Sequence, residues 1–280
     1  MATVTGQRVV AAVDDRSAAT AGRMARILAP LTIGVALLAG WEWLVRANGI
    51  PPYILPTPSA VAAELVASWP SLWPSLLVTL KIAALALAAA ILGGGGLALL
   101  CSLSKWIELS LLPYAVVLQV TPVVAIAPLI LIYVDNTLTA VVLCAWIVAF
   151  FPILSNTMIG LDSADHNLRN LFELYRASRW QTLRLLRIPS ALPYFLGGLK
   201  IAGGLSLIGA VVGEYVAGTA GTGTGLAFRV LEAQYRLNIP RMFAGLLILA
   251  LLGVAIYLTF SWLAWLLLHR WHESAVRREN

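Results

Sequence analysis

The sequence predicts an all-α integral membrane protein with about six transmembrane helices. Three observations predict it. Hydrophobic residues make up 60% of the 280 and charged residues 11%, against about 45–50% and about 25% in a soluble domain. The apolar residues run continuously instead of alternating, which argues against an outer-membrane barrel. The longer runs reach the roughly 20 residues that a helix needs to cross a bilayer. A soluble enzyme, a disordered chain and a secreted disulfide scaffold are excluded. The spans must be helices, because lipid offers backbone groups no partner outside their own segment.

Six spans can be marked: about Ile27 to Val45, Trp73 to Ser102, Leu109 to Val134, Thr137 to Met158, Tyr194 to Ala217 and Met242 to Leu268. The chain thereby divides into an N-terminal tail (1–26), the first span with its outer connection (27–72), a transmembrane core (73–268) carrying a polar loop (160–193), and a C-terminal tail (269–280). The first 25 residues hold no apolar core of the signal-peptide type, so that tail is expected to be retained. With both termini cytoplasmic, the inside segments carry thirteen Lys and Arg and the outside segments four, Arg46, Arg229, Arg236 and Arg241. Positive residues favour the cytoplasmic side, so this orientation is predicted. The three arginines between the fifth and sixth spans run against it. Trp41, Trp43, Trp69 and Trp73 mark one interface, and Trp262, Trp265 and Trp271 the other, at headgroup level. Cys101 and Cys144 lie inside apolar runs and read as buried thiols.

Between spans one and two, Pro51, Pro52, Pro56, Pro58, Pro70 and Pro74 predict an irregular segment. Ser59 to Ser68 is predicted as one short amphipathic helix on the outer surface. The third span carries Pro122 and Pro128, which free backbone carbonyls and bend a helix. Broken backbone is tolerated where it faces protein or water, so Gln119 and Thr121 are candidate pore lining. Trp146 in the fourth span is a candidate stacking platform for a planar solute, with core packing as the alternative. Charges inside spans mark functional sites by default. Glu214 and Lys81 fall near the same end of spans five and two, and are candidates for an ion pair or a charged gate. Gly93 to Gly96 would allow close helix approach. The glycine-rich run 218–225 lacks the lysine of a phosphate loop and reads as a flexible connection.

Loop 160–193 is basic and helical in pattern. Leu168, Leu171, Phe172 and Tyr175 recur at helical spacing. Ser178 is a candidate N-cap, Trp180, Leu183 and Leu186 form a stripe, Arg184 and Arg187 line another side, and Pro189 is predicted to end the second helix. Two short helices meeting near Arg176–Ala177 are therefore expected. Such a hairpin either meets anionic lipid or docks a cytosolic partner through aromatic and arginine anchors.

The stretch Ala177-Ser178-Arg179-Trp180-Gln181-Thr182-Leu183, followed by Leu186-x-Ile188-Pro189-x-Ala191-Leu192-Pro193-Tyr194, resembles the loop of binding-protein-dependent ABC importer permeases. It is most similar to the nitrate/sulfonate/taurine branch and its vitamin-precursor relatives. Leu55-Pro56-Thr57-Pro58-Ser59, Thr121-Pro122, Ala127-Pro128-Leu129, Phe150-Phe151-Pro152-Ile153, Gly198-Leu199-Lys200-Ile201-Ala202, Val211-Val212-Gly213-Glu214 and Gly225-Leu226 resemble other segments of that family in the same order.

The resemblance implies the type I ABC importer permease fold in a bacterial inner membrane. It implies a pore built with a second permease subunit as homo- or heterodimer. An extracytoplasmic solute-binding protein would deliver substrate, and a cytosolic ABC ATPase dimer would hold the ATP and Mg, so this chain binds no cofactor and is no enzyme itself. The ATPase-coupling residues implied are Tyr175, Arg176, Ala177, Ser178, Arg179, Trp180, Gln181, Leu186, Ile188 and Pro189. The substrate implied is a small anion (sulfonate, nitrate or taurine-like) or a pyrimidine- or riboflavin-like vitamin precursor. In one respect the loop departs from the family. Asn170, Leu171 and Phe172 stand where Glu-Ala-Ala is usual, and Arg176 stands where Gly is usual. Without Gly the inexpensive left-handed turn is lost, so the turn is expected to be built differently or moved. An ion-gradient carrier and an intramembrane enzyme are the competing classes. The first would show midplane charges and paired inverted halves, the second a nucleophile–base or metal constellation. His166, His269 and His272 all lie in segments predicted cytoplasmic.

Overall fold

The computed structural model describes residues 28–218 and 223–269. The N-terminal tail, Trp271, His272 and the rest of the C-terminal tail beyond His269 lie outside the described residues. All regular structure among the described residues is helical. The elements are α1 (Leu28–Ala47), α2 (Pro58–Leu103), α3 (Lys105–Val120), α4 (Val123–Tyr133), α5 (Thr137–Asp162), α6 (His166–Leu174), α7 (Arg179–Thr182), α8 (Ile188–Ala217), α9 (Leu226–Tyr235) and α10 (Ile239–Leu268). Five stretches are long and apolar enough to cross a membrane, or six if the bent pair α3–α4 counts as one.

Local chemistry sets many of the boundaries. Thr57 caps α2 by accepting the Ala60 amide at 3.2 Å, with Pro58 in the first turn, where its missing N–H is harmless. Asn136 caps α5 through the Thr139 amide at 2.9 Å, and Asn238 caps α10 through the Arg241 amide at 3.2 Å.

Four helices make the core. Leu87 and Ala90 of α2, Ala149 and Ile153 of α5, Leu196, Leu199 and Ala202 of α8, and Ala264 and Leu268 of α10 form one buried cluster. The α5–α8 contact is the closest. A Cβ on Gly209 would lie 2.6 Å from Ala145 Cα, and one on Gly160 2.8 Å from Ala191 Cα. Small residues let two backbones approach and gain dispersion contacts that lipid cannot supply. This seam, not Gly93–Gly96, is the main close approach. In that run Gly94 would meet the Phe150 carbonyl at 2.9 Å, while Gly95 and Gly96 face open space. Outside the core, exposed Leu, Ile and Val side chains of α1 and α10 provide a lipid-facing surface.

Four expectations are corrected. First, the proline-rich connection is not irregular after Thr57: α2 runs unbroken through Pro70 and Pro74 for 46 residues, about 69 Å at 1.5 Å per residue. Each proline removes one ladder bond and leaves the neighbouring turns in place. Second, the third span is two helices bent by 102°. Thr121, preceding Pro122, is driven to extended backbone (φ −72°, ψ 122°), as a residue before proline must be. Third, Pro189 ends nothing. Residues 179–217 are continuously helical, passing through a π-helical turn at Leu183–Arg187. Pro189 has no N–H for the carbonyl one turn back, and the Ile188 amide reaches the Leu183 carbonyl five residues away. Fourth, α9 is an added amphipathic helix. Its first turn follows Gly225, the last residue of the glycine-rich run, whose residues 219–222 lie outside the described residues.

Candidate functional site: the loop end and the α9 end

The molecule has two polar ends. At the loop end, α6 and α7 are joined by a turn in its expected place. Arg176 itself adopts the left-handed conformation, φ 50°. The Ala177 amide donates to the Phe172 carbonyl at 2.9 Å and the Arg176 amide to the Glu173 carbonyl at 2.9 Å. This is the paired bond pattern of a Schellman cap, built on an arginine. Of the two alternatives, a turn built differently or a turn moved, the structure has the turn in place on a non-glycine residue: those two bonds hold Arg176 in a backbone region that L side chains enter at roughly 1–2 kcal/mol. Arg176→Gly is expected to raise stability by about 0.5–1 kcal/mol, the strain relieved less the extra chain entropy of glycine. A higher thermal midpoint in detergent checks it; a lower one contradicts the assignment.

Immediately after the turn, Ser178 and Gln181 form a capping box. The Gln181 amide donates to Ser178 Oγ at 3.2 Å and the Ser178 amide to Gln181 Oε1 at 2.7 Å. Tyr175 and Trp180 stand out at 78% and 63% exposure. Arg179, Gln181 and Pro189 are exposed, Ala177 is half-buried, and Ile188 is exposed. Leu186 and Leu183 turn into the core while Trp180 faces out, so the expected stripe splits between Trp180 and Leu183.

Arg187, placed by the sequence only on one side of the loop helix, has a bonding role that the sequence does not show. Its Nε donates to the Leu161 carbonyl at 3.0 Å, its Nη1 to the Ser102 carbonyl at 2.9 Å, and its Nη2 to Asp162 Oδ1 at 2.6 Å. One planar guanidinium thus ties the end of α2, the end of α5 and the loop together, a geometry that lysine lacks. The sequence signal was only the (i, i+3) spacing of Arg184 and Arg187. Arg184 is exposed.

At the α9 end, Glu214 of α8 is buried at 5% exposure. The expected ion pair with Lys81 does not form. Thr79 Oγ1 donates to Glu214 Oε1 at 2.7 Å, and the Ala227 amide donates to Oε2 at 2.9 Å. Thr79 Oγ1 in turn accepts the Leu226 amide at 2.8 Å. Glu214 and Thr79 therefore satisfy the first two N–H groups of α9 from other helices, and the carboxylate sits at the positive end of that helix. Gly225 is required beside it, because a Cβ there would overlap the Glu214 carboxylate. Lys81 is exposed and lines, with Asp135, Asn136, Thr137 and Glu214, a cavity of about 560 Å³.

The three arginines that opposed the charge bias are engaged here. Arg229 Nη1 bonds Glu232 at 2.9 Å and its Nε donates to Ser75 Oγ at 3.2 Å. Arg236 pairs with Glu232 at 2.8 Å, and Arg241 donates to Ser71 Oγ at 3.0 Å. The Arg229 hydrogen bond holds the Glu232 carboxyl below its ordinary pKa, against an opposing contribution from burial. Arg229 and Arg241 thus fasten α9 and α10 to α2, while Arg236 pairs with Glu232 of α9.

The remaining pore candidates separate. Gln119 and Thr121 line a cavity of about 330 Å³ with Ile147, Val148 and Pro152 of α5 and Leu205 of α8. Trp146 is partly buried and packs against three core clusters, its ring 5.1 Å from that of Phe150. The five candidates thus occupy three places within this chain.

Comparison with known proteins places this architecture. The family described as "Binding-protein-dependent transport system inner membrane component" matches residues 89–272. The chain is 37% identical over 247 residues to the riboflavin transport system permease protein of Chloroflexus aurantiacus, covering 88% of this chain and 90% of that protein. It is 35% identical to a probable ABC transporter permease protein of Haemophilus influenzae, covering 88% and 97%. It is 34% identical to the formylaminopyrimidine transport permease protein of Halalkalibacterium halodurans, covering 83% and 91%. Among solved structures, an amino acid ABC transporter with histidines shares the fold, with TM-score 0.60 and 24% identity over 73% of this chain and 96% of that one.

Proposed function

The chain belongs to the family of binding-protein-dependent transport system inner membrane components, and from that premise we propose that it couples solute passage to a cytosolic ATPase through loop 160–193. As an ABC importer permease subunit it is a multi-pass inner-membrane protein. A second permease subunit, as homo- or heterodimer, completes the pore. An extracytoplasmic binding protein delivers the solute, and an ABC ATPase dimer holds ATP and Mg. Both termini are cytoplasmic in this reading.

The observation that carries it is the rigid, exposed knuckle at Arg176–Gln181. A Schellman cap and a capping box back to back hold Tyr175 and Trp180 outward. A lipid-facing anchor needs no such ordered turn, whereas a lever must transmit force without yielding. Through the continuous helix 179–217 the knuckle connects directly to the α5–α8 seam, so a displacement of the loop is passed to the core as a rigid-body movement. Trp180→Glu is expected to lower uptake at least ten-fold in the reconstituted transporter while membrane insertion and ATP hydrolysis persist. Unchanged uptake overturns the docking assignment.

For the substrate we propose a riboflavin- or pyrimidine-like vitamin precursor, supported by the names of two of the relatives above. A ligand screen on the cognate binding protein separates this from small anions: tight binding of taurine or nitrate without riboflavin or a pyrimidine overturns it.

A further inference from the structure

Between the start of α3 and the α6–α7 turn lies a cleft of about 640 Å³. We infer that this cleft binds the phosphate group of an anionic phospholipid. It rests on the reading above only in placing the loop at the inner leaflet.

Four cations line the cleft, Lys105, Arg169, Arg179 and Arg187, against one carboxylate, Glu173. Lys105 is paired with Glu108 at 2.7 Å and Arg187 with Asp162 at 2.6 Å. Arg169 and Arg179 enter no ion pair among the described residues. Arg169 is held in place by a 2.6 Å bond from Nη2 to the Asp162 carbonyl, yet its buried Nε has no hydrogen-bond partner. That Nε is closed off from the cleft, so the part of Arg169 left to meet an anion is Nη1, which makes no hydrogen bond among the described residues, and a phosphate oxygen is a fitting acceptor for it.

The start of α3 adds to the demand for an anion. Ser104, its N-cap, makes no side-chain capping bond, so the leading amides of α3 also lack a side-chain acceptor at that end. Trp106 stands beside the cleft at 82% exposure, an amphipathic ring of the type that settles among headgroups. The cleft is therefore cationic inside and apolar at its rim, the profile of a headgroup with its acyl chains left in the bilayer.

The test uses the full-length chain, extracted in neutral detergent and loaded with equal amounts of phosphatidylglycerol and phosphatidylcholine. By native mass spectrometry it is expected to retain phosphatidylglycerol at least ten-fold over phosphatidylcholine. Lys105→Gln combined with Arg169→Gln is expected to bring that ratio near one, while Arg184→Gln, an exposed charge outside the cleft, leaves it unchanged. Arg169→Lys, which keeps the charge and loses the fork, gives an intermediate ratio and serves if the double variant does not fold. Equal retention by wild type and double variant, or an equal loss in Arg184→Gln, overturns the site. Binding of inorganic phosphate without any preference for phosphatidylglycerol overturns the lipid as its source. Loss of ATPase co-purification with unaltered lipid retention overturns it in favour of a protein contact. Labelling of Arg184→Cys by an impermeant maleimide from the outer side overturns the coupling function and with it the inner-leaflet placement of this site, whereas a lost phosphatidylglycerol preference with labelling only from the inner side overturns the site alone.

Discussion

Replacing Glu214 by alanine is expected to destabilise the protein by about 1–4 kcal/mol, from an orphaned buried amide at about 1–3 kcal/mol and a lost acceptor at the positive end of a helix at about 0.3–1 kcal/mol. The amide is that of Ala227, which is fully buried and loses the acceptor it meets at 2.9 Å. Thr79 suffers less, because its hydroxyl also lies 3.3 Å from the Ser75 carbonyl and can turn to it. Glu214→Gln keeps one acceptor oxygen but brings an N–H₂ group toward Thr79, so an intermediate loss is expected. Lys81→Met should leave the thermal midpoint nearly unchanged, since Lys81 is exposed and makes no ion pair with Glu214. The measurement is thermal unfolding in detergent followed by tryptophan fluorescence. A large loss in Lys81→Met, rescued by Glu214→Gln, would restore the ion pair and reject the cap.

The second large effect lies in the seam. Gly209→Leu is expected to destabilise by about 3 kcal/mol or more, at the upper end of what overpacking a core produces. A Cβ alone would sit 2.6 Å from Ala145 Cα, and the obstacle is main chain, so no side-chain rotation relieves it. Helices α5 and α8 must part, and with them the cluster that joins α2 and α10. Gly204→Leu on the same helix provides the contrast. Nothing lies within 4 Å of a Cβ there, and the change should be near neutral. Yield of folded protein and its unfolding midpoint distinguish the two; equal behaviour of both variants would reject the seam as the packing determinant. Because α8 continues into the loop helix, Gly209→Leu should also weaken coupling where any folded protein survives.

The sequence alone determined the all-helical membrane class, most span positions, the Ser178 cap and the buried thiols, since each follows from local composition or spacing. Continuous apolar runs read directly as spans because hydrocarbon leaves the backbone no other partner. The family was legible too, in short motifs carried by loops and helix ends. Tertiary structure decided the rest. Which glycines form the seam depends on what faces them: Gly95 and Gly209 are alike in sequence, but one meets open space and the other a backbone. Glu214 had an evident partner by charge, and the fold gave it α9 instead, a helix too short to read from periodicity. Arg176 shows the same division. Its position in the loop marked the turn, but only the two amide bonds across it show that a non-glycine residue holds the left-handed conformation. The physical reason is common to all three: local pattern fixes what a segment can become, while close approach and polar satisfaction are properties of pairs of segments that meet only in the fold.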